Sequence, residues 1–346
     1  MSGLRFPRPL RPGDTIAVTA PSSGVQRSMR PRLEVAVRDL ERRGYVVRMG
    51  ECMDGTSHVS APKQERAAEL TAMLLDPDIA AVVPPWGGEL AIDLLDLLDF
   101  DALADAEATW LVGYSDTSTI MVPLTLRSGW ATLHGANLMD SLYAAPDGLA
   151  HWTEVAAATA PFTQRSPGRF RTARHGDYVG NPELDTYELD AVGGWSVLGG
   201  GDVEVSGRLI GGCTETLGAI SGTQYADVAA FGREHADEGI VVYVEACDFG
   251  AYDVARILHG FRLAGWFEHA NAVFVGRPMA PDSDGFSQAD AAADALGDLG
   301  IPVILDVDCG HVAPFLPLVN GARAEISVTD GIGEVTQSFE GTEAPL

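Results

Sequence analysis

Short apolar runs alternate with longer amphipathic stretches along this chain, and their spacing predicts the architecture. Thr15-Ile-Ala-Val-Thr-Ala-Pro-Ser-Ser-Gly24 reads as a buried strand that ends in a turn of small residues. A helical period follows over 30–44, then a second strand at 45–49 and a helix over 64–75. Ile79-Ala-Ala-Val-Val is a third strand, running through two prolines into Trp86-Gly-Gly-Glu89 and a Leu-rich amphipathic helix. Thr109-Trp-Leu-Val-Gly113 is a fourth, with Ser115 directly behind it and a helical run next. Strands alternating with helices predict a parallel sheet covered by helices on both faces, with ligands at the carboxyl ends of its strands.

The period fades between about 150 and 190, where Pro, Gly, Arg, Thr and Asp accumulate, and a linker is expected there. Beyond it, strands are predicted at 207–212, 239–245, 272–276 and 302–306, with a helix over 253–264 and a last strand over 324–330. The sequence of 346 residues, 46% hydrophobic, is long enough for two α/β units with cores of their own.

Charge narrows the partners. With 23 basic against 49 acidic residues the net charge is −26, which repels nucleic-acid polymers and anionic membranes. Lys63 is the only lysine, a bias of composition rather than chemistry. No apolar run approaches the roughly 20 residues of a membrane span, and the first residues lack a secretory core, so a cytoplasmic location is expected. Cys52, Cys213, Cys247 and Cys309 show no C-x-x-C pair, and no His and acid cluster has metal-ligand spacing; neither metal nor cofactor is expected.

Ser115 has two readings. A serine on a tight strand-to-helix turn holds its hydroxyl above the sheet beside free helix N–H groups, as in a nucleophile elbow, although Gly-Tyr-Ser-Asp-Thr lacks the last glycine of G-x-S-x-G. Alternatively, Ser115 or Asp116 caps the next helix. A nucleophile needs a base and the base an orienting acid. His311, after a buried-type strand and a glycine, and His134, in Leu-His-Gly, both qualify as base. Glu245 closes the apolar run Ile240-Val-Val-Tyr-Val, where a carboxylate needs a partner to offset desolvation, and Asp306 and Asp308 compete with it by proximity to His311.

Taken in order, RPGDTIAVTAPSSG, WGGE, GYSD, LHG, GRLIGGCTETL, VYVE and DCGH resemble the LD-carboxypeptidase family of serine peptidases. The likeness runs over nearly the whole chain. It implies an N-terminal doubly wound, flavodoxin-like parallel-sheet domain (1–155), a linker (156–190) and a C-terminal α/β domain of swivelling type (191–346), ordinarily assembled as a homodimer. The family's Ser, Glu and His map onto Ser115, Glu245 and His311, which favours nucleophile over cap. Its oxyanion hole maps onto the N–H groups of Asp116 and Gly88. Murein-peptide members commonly carry an arginine before the double glycine and an asparagine after GRLIGG; Trp86 and Cys213 stand there, and members resembling the microcin C self-immunity proteins tolerate a cysteine at the second place. Trp86, Gly87, Glu89 and Cys213 would line the substrate site, and Tyr187 and Trp195 are candidates for stacking on a nucleotide base.

The resemblance implies hydrolysis of an amide in a small peptide or peptidyl-nucleotide substrate. The bond would be the one joining an acyl group to an aminoacyl nucleotide, or the one holding the terminal D-Ala of a murein tetrapeptide. Competing readings are a binding module on the same fold and a dinucleotide enzyme; the second lacks a G-x-G-x-x-G after the first strand.

Overall fold

A computed structural model describes residues 3–174 and 176–339, so the outermost positions of both expected domains and one position of the linker lie outside the described residues. The first sheet contains β1 (Thr15–Val18), β2 (Val46–Met49), β3 (Ile79–Val83), β4 (Trp110–Gly113) and β5 (Thr132–His134). They lie parallel in the order β5-β4-β3-β1-β2, so the strand order reverses between β1 and β3, the switch point at which doubly wound sheets bind ligands. The helices among these strands are α1 (Arg30–Arg42), α2 (Lys63–Leu74), α3 (Phe100–Asp105) and α4 (Ser118–Ser128). Ile16 and Val18 pack into one core while Ala17 packs into another, the period-two alternation of a strand covered on both faces.

One expectation is corrected here. The Leu-rich stretch after Glu89 is a 3-10 turn, Ala91–Leu94, followed by the separate helix α3, because Asp99 accepts the Ala102 N–H and starts a new helix. The expected linker is not structureless. After α5 (Trp152–Ala156), β6 (Phe162–Arg165) joins the second sheet, and β7 (Arg169–Phe170) pairs with β8 (Ala191–Val192) in a small ribbon.

The second sheet is completed by β9 (Ser196–Val197), β10 (Val203–Cys213), β11 (Ile240–Glu245), β12 (Ala270–Gly276), β13 (Val303–Val307), β15 (Arg323–Thr329) and β16 (Ile332–Ser338). Its order is β6-β16-β15-β10-β11-β12-β13-β9, with β10 to β13 parallel. Its helices are α6 (Thr214–Gly218), α7 (Val228–Glu234), α8 (Ala251–Leu263) and α9 (Gln288–Leu296). The remaining strand, β14 (Leu318–Asn320), leaves this half of the chain and adds antiparallel to β5, so residues from the C-terminal half complete the first sheet. No described helix is long and apolar enough to cross a membrane.

Candidate active site

Strand β4 ends at Gly113, and Ser115 follows with φ 62°, left-handed backbone that a non-glycine residue adopts only when its surroundings impose it. The 3-10 turn Ser115–Thr117 leads directly into α4. The residue before α4 is Thr117, whose side chain makes no cap bond, so the capping reading of Ser115 is overturned. Gly87 explains how the elbow is packed. A Cβ there would lie 2.8 Å from Ser115 Cβ, 2.9 Å from its Oγ and 3.2 Å from the Asp116 nitrogen, so only glycine lets the Trp86–Glu89 turn approach the hydroxyl. Gly88, at φ 147°, lies against Ser22 and Ser23 of the turn after β1.

The Asp116 carboxylate ties these turns together. It is 1% exposed and accepts from Ser22 Oγ (2.6 Å), the Ala91 N–H (2.8 Å) and Thr119 Oγ1 (3.2 Å). The first two bonds join the loops after β1 and β3 to the elbow, and the third holds the start of α4.

From the second sheet, His311 Nδ1 lies 2.7 Å from Glu245 Oε2, and both side chains are almost fully buried. Burial, the largest single cause, lowers the imidazole pKa, but the charge and hydrogen bond of Glu245 and those of Cys247 together outweigh it and raise it to about 10. Gly276 and Gly310 make room for the acid: a Cβ on either would come within 2.7 Å of Glu245 atoms. Asp306 and Asp308 face Arg277 instead, at 3.3 and 3.6 Å. His134 is fully buried, and burial, then His311, lowers its pKa to about 3; both its ring nitrogens lack a partner among the described residues. His311 is therefore the histidine that carries an acid. The two halves meet at Tyr114, whose ring packs edge-on against His311 with centroids 4.8 Å apart and whose hydroxyl donates to Asp140 (3.0 Å).

Residues 16–135 match the LD-carboxypeptidase N-terminal domain and residues 206–326 match its C-terminal domain. The chain belongs to the LD-carboxypeptidase family. It is a serine-peptidase-type hydrolase. It is 25% identical to the microcin C7 self-immunity protein MccF of Escherichia coli, over 97% of this chain and 96% of that protein. A structure of MccF in complex with aspartyl sulfamoyl adenosine superposes with a TM-score of 0.80 at 23% identity, covering 96% of this chain and 98% of the other. Muramoyltetrapeptide carboxypeptidase from Oxalobacter formigenes gives 0.69 at 21% identity, covering 94% and 99%.

Several LD-carboxypeptidase-family positions named from the sequence can now be placed. Trp86 is half-buried and donates its indole N–H to Gly24 O (3.1 Å), forming a fixed wall. Glu89 is exposed, and partial burial, Asp116 and Glu215 raise its carboxyl pKa. Cys213 is 2% exposed beneath the cleft, where its N–H donates to Ser118 Oγ (3.2 Å). Tyr187 is stacked on Tyr143, centroids 4.1 Å apart and planes 11° off parallel, so one face is occupied. Trp195 is corrected: it is 2% exposed, covered by Gly333 and Phe274, with its N–H on Asp308 (2.9 Å), so no face is open to a base. Its length of apolar ring suited a core as well as a ligand, and the core took it.

The sequence reasoning missed Ser22, Glu215, Gly276 and Gly310. For the glycines a signal existed, since Gly276 ends an apolar strand and Gly310 directly precedes the candidate base His311. For Ser22 and Glu215 none did, because their partners are distant in sequence.

Proposed function

We propose that this chain hydrolyses the amide that joins the carbonyl of an aminoacyl or peptidyl group to a nucleotide, with Ser115 as nucleophile, His311 as base and Glu245 as orienting acid. The observation that carries the reading is the 2.7 Å His311–Glu245 bond, set beside an elbow whose serine is held at φ 62°. Ser115 Oγ attacks the scissile carbonyl carbon as His311 takes its proton through Nε2. The oxyanion is held by the N–H groups of Asp116 and Gly88. The imidazolium then gives its proton to the leaving nitrogen as the C–N bond breaks, leaving an acyl-serine. Water, deprotonated by His311, releases the acid and restores the hydroxyl.

Two features support a nucleotide-linked substrate over a murein tetrapeptide. The residue before the double glycine is Trp86, a neutral side chain whose only N–H is committed to Gly24, so that position offers no cation to a substrate carboxylate. The relative MccF is described with aspartyl sulfamoyl adenosine bound. The test is to incubate the chain with aspartyl sulfamoyl adenosine and, separately, with a murein tetrapeptide, and to read products by mass spectrometry. Release of aspartate and sulfamoyl adenosine, absent in Ser115→Ala, is expected. Release of D-Ala from the tetrapeptide alone would reassign the substrate, and undiminished turnover by Ser115→Ala would remove the nucleophile.

A further inference from the structure

Glu215 stands outside the proposed triad, yet it holds the loop that follows the triad acid. Its Oε1 accepts the backbone N–H groups of Cys247 (2.8 Å), Asp248 (2.9 Å) and Phe249 (3.2 Å). Consecutive N–H groups converging on one oxygen form an anion-binding nest, and here the chain fills it with its own carboxylate. Charge-assisted bonds of this kind are stronger than neutral ones. The same carboxylate accepts the Cys213 thiol through Oε2 (3.3 Å).

Both ends of this clamp reach reacting groups. On one side, Cys247 lies two residues beyond Glu245, whose Oε2 is 2.7 Å from His311 Nδ1. On the other, the Cys213 N–H donates to Ser118 Oγ (3.2 Å), and Ser118 opens the helix that the Ser115 turn leads into. Cys213 also pairs in register with Glu245 across β10 and β11. Gly212 allows this approach, since a Cβ there would lie 2.5 Å from Ser118 Oγ. The path Ser118–Cys213–Glu215–Cys247 thus joins the nucleophile's helix to the loop that follows Glu245, the acid bonded to His311, by contacts that bypass the substrate.

We infer that Glu215 is a positioning residue: by clamping the 247–249 loop to the end of β10, it fixes the His311 imidazole relative to Ser115. This rests on the triad proposed above. A displaced base lowers the chemical step while leaving substrate contacts intact, so the signature is a fall in kcat without a matching change in KM.

The experiment compares Glu215→Ala and Glu215→Gln in the full chain. Three quantities are read: kcat and KM for aspartyl sulfamoyl adenosine, the rate at which a fluorophosphonate labels Ser115, and the urea midpoint. Glu215→Ala is expected to lower kcat and the labelling rate by about 10- to 100-fold with little change in KM. Glu215→Gln, whose amide oxygen can accept the same three N–H groups, should recover most of that loss. Wild-type kcat and labelling in Glu215→Ala overturns the inference, as does a rise in KM alone. It is also overturned if Glu215→Gln matches wild type in midpoint yet is as slow as Glu215→Ala. Should Glu215→Ala not fold, Ser118→Ala breaks the path at its other end, and an unchanged labelling rate there refutes the inference. Failure of the triad itself looks different, because Ser115→Ala would then still turn over.

Discussion

Gly310→Ala probes the seat of the proposed triad acid. Gly310 has φ 100°, and a Cβ built there lies 2.4 Å from Glu245 Oε2, 2.6 Å from its Cγ and 2.7 Å from its Cβ. Oε2 is the atom bonded to His311, so the added methyl collides with the contact that orients the base. Holding alanine in left-handed backbone costs about 1–3 kcal/mol. Overpacking a buried site costs about 1–3 kcal/mol more. Together they predict a loss of about 2–6 kcal/mol in folding stability, against a usual total of about 5–15 kcal/mol. If relief comes by turning the carboxylate away, a displacement of order 1 Å should lower kcat by about 10- to 100-fold, or about 1.4–2.7 kcal/mol in barrier. Gly300→Ala is the matched control: its φ is 71°, but a Cβ there meets nothing within 4 Å, so it carries the backbone strain without the collision. Urea melts measure stability, and initial rates with aspartyl sulfamoyl adenosine, below the unfolding transition, measure kcat. The reasoning is refuted if folded Gly310→Ala keeps wild-type kcat, or if Gly300→Ala loses as much.

Ser115→Ala should abolish hydrolysis while changing stability by no more than about 1–2 kcal/mol, which circular dichroism melts will check. Ser115→Ala and His311→Ala should each lose similar activity, and the double variant little more; additive losses in kcat would argue against a shared step. Because Glu245 and Cys247 together outweigh burial and raise the His311 pKa to about 10, the imidazole is protonated at neutral pH and kcat/KM should climb with pH above the ordinary histidine value. In Glu245→Gln burial acts without the opposing charge, so the acid limb should move down by at least about one pH unit, with a lower plateau. A limb that stays in place in the pH–rate profile would disprove that origin of the shift. Gly87→Ala places a methyl 2.9 Å from Ser115 Oγ and should abolish turnover; wild-type rates would mean the turn moves freely.

The strands nearest the chemistry were legible because they are buried on both faces, so β3, β4 and β11 read as unbroken apolar runs. Strands β6 and β16 escaped notice for the opposite reason: their inward positions include Gln164 and Gln337, each 1% exposed or less. Both donate to the Pro317 carbonyl, at 3.0 and 2.9 Å, so polar residues occupy positions where apolar ones mark a strand. The turn into β16 did carry a signal, Asp330-Gly331, with φ 51° and 78°, the pair a tight hairpin prefers. At the site, Glu245 was legible because a carboxylate ending an apolar strand demands a partner. Glu215 was not, because its bonds to the 247–249 loop span more than thirty positions and its neighbours read as an ordinary helix start.

The contacts between the two sheets argue for a fixed relation between nucleophile and base. Asn320, on β14, is fully buried. Its Oδ1 accepts from the Gly211 N–H (3.0 Å) and Tyr243 OH (2.8 Å), and its Nδ2 donates to Thr132 Oγ1 (3.1 Å). One side chain thus joins β5 of the first sheet to β10 and β11 of the second. The Ser118–Cys213 bond adds a second buried link close to the elbow. Separating the sheets would strand several buried polar groups at about 1–3 kcal/mol each. The segment around Tyr178 and Tyr187 is held by polar bonds as well: buried Arg32 donates to the Pro182 carbonyl (3.0 Å) and to the Leu184 carbonyl, and Tyr178 OH donates to Asp140 (2.7 Å). Arg174 pairs with Asp248 with both side chains about half exposed, 49% and 58%, an arrangement worth about 0–1 kcal/mol. Tyr187 rests on Tyr143 by stacking, worth about 0.5–1.5 kcal/mol beyond its burial. The relation between Ser115 and His311 is thus set by the buried links that join the two sheets.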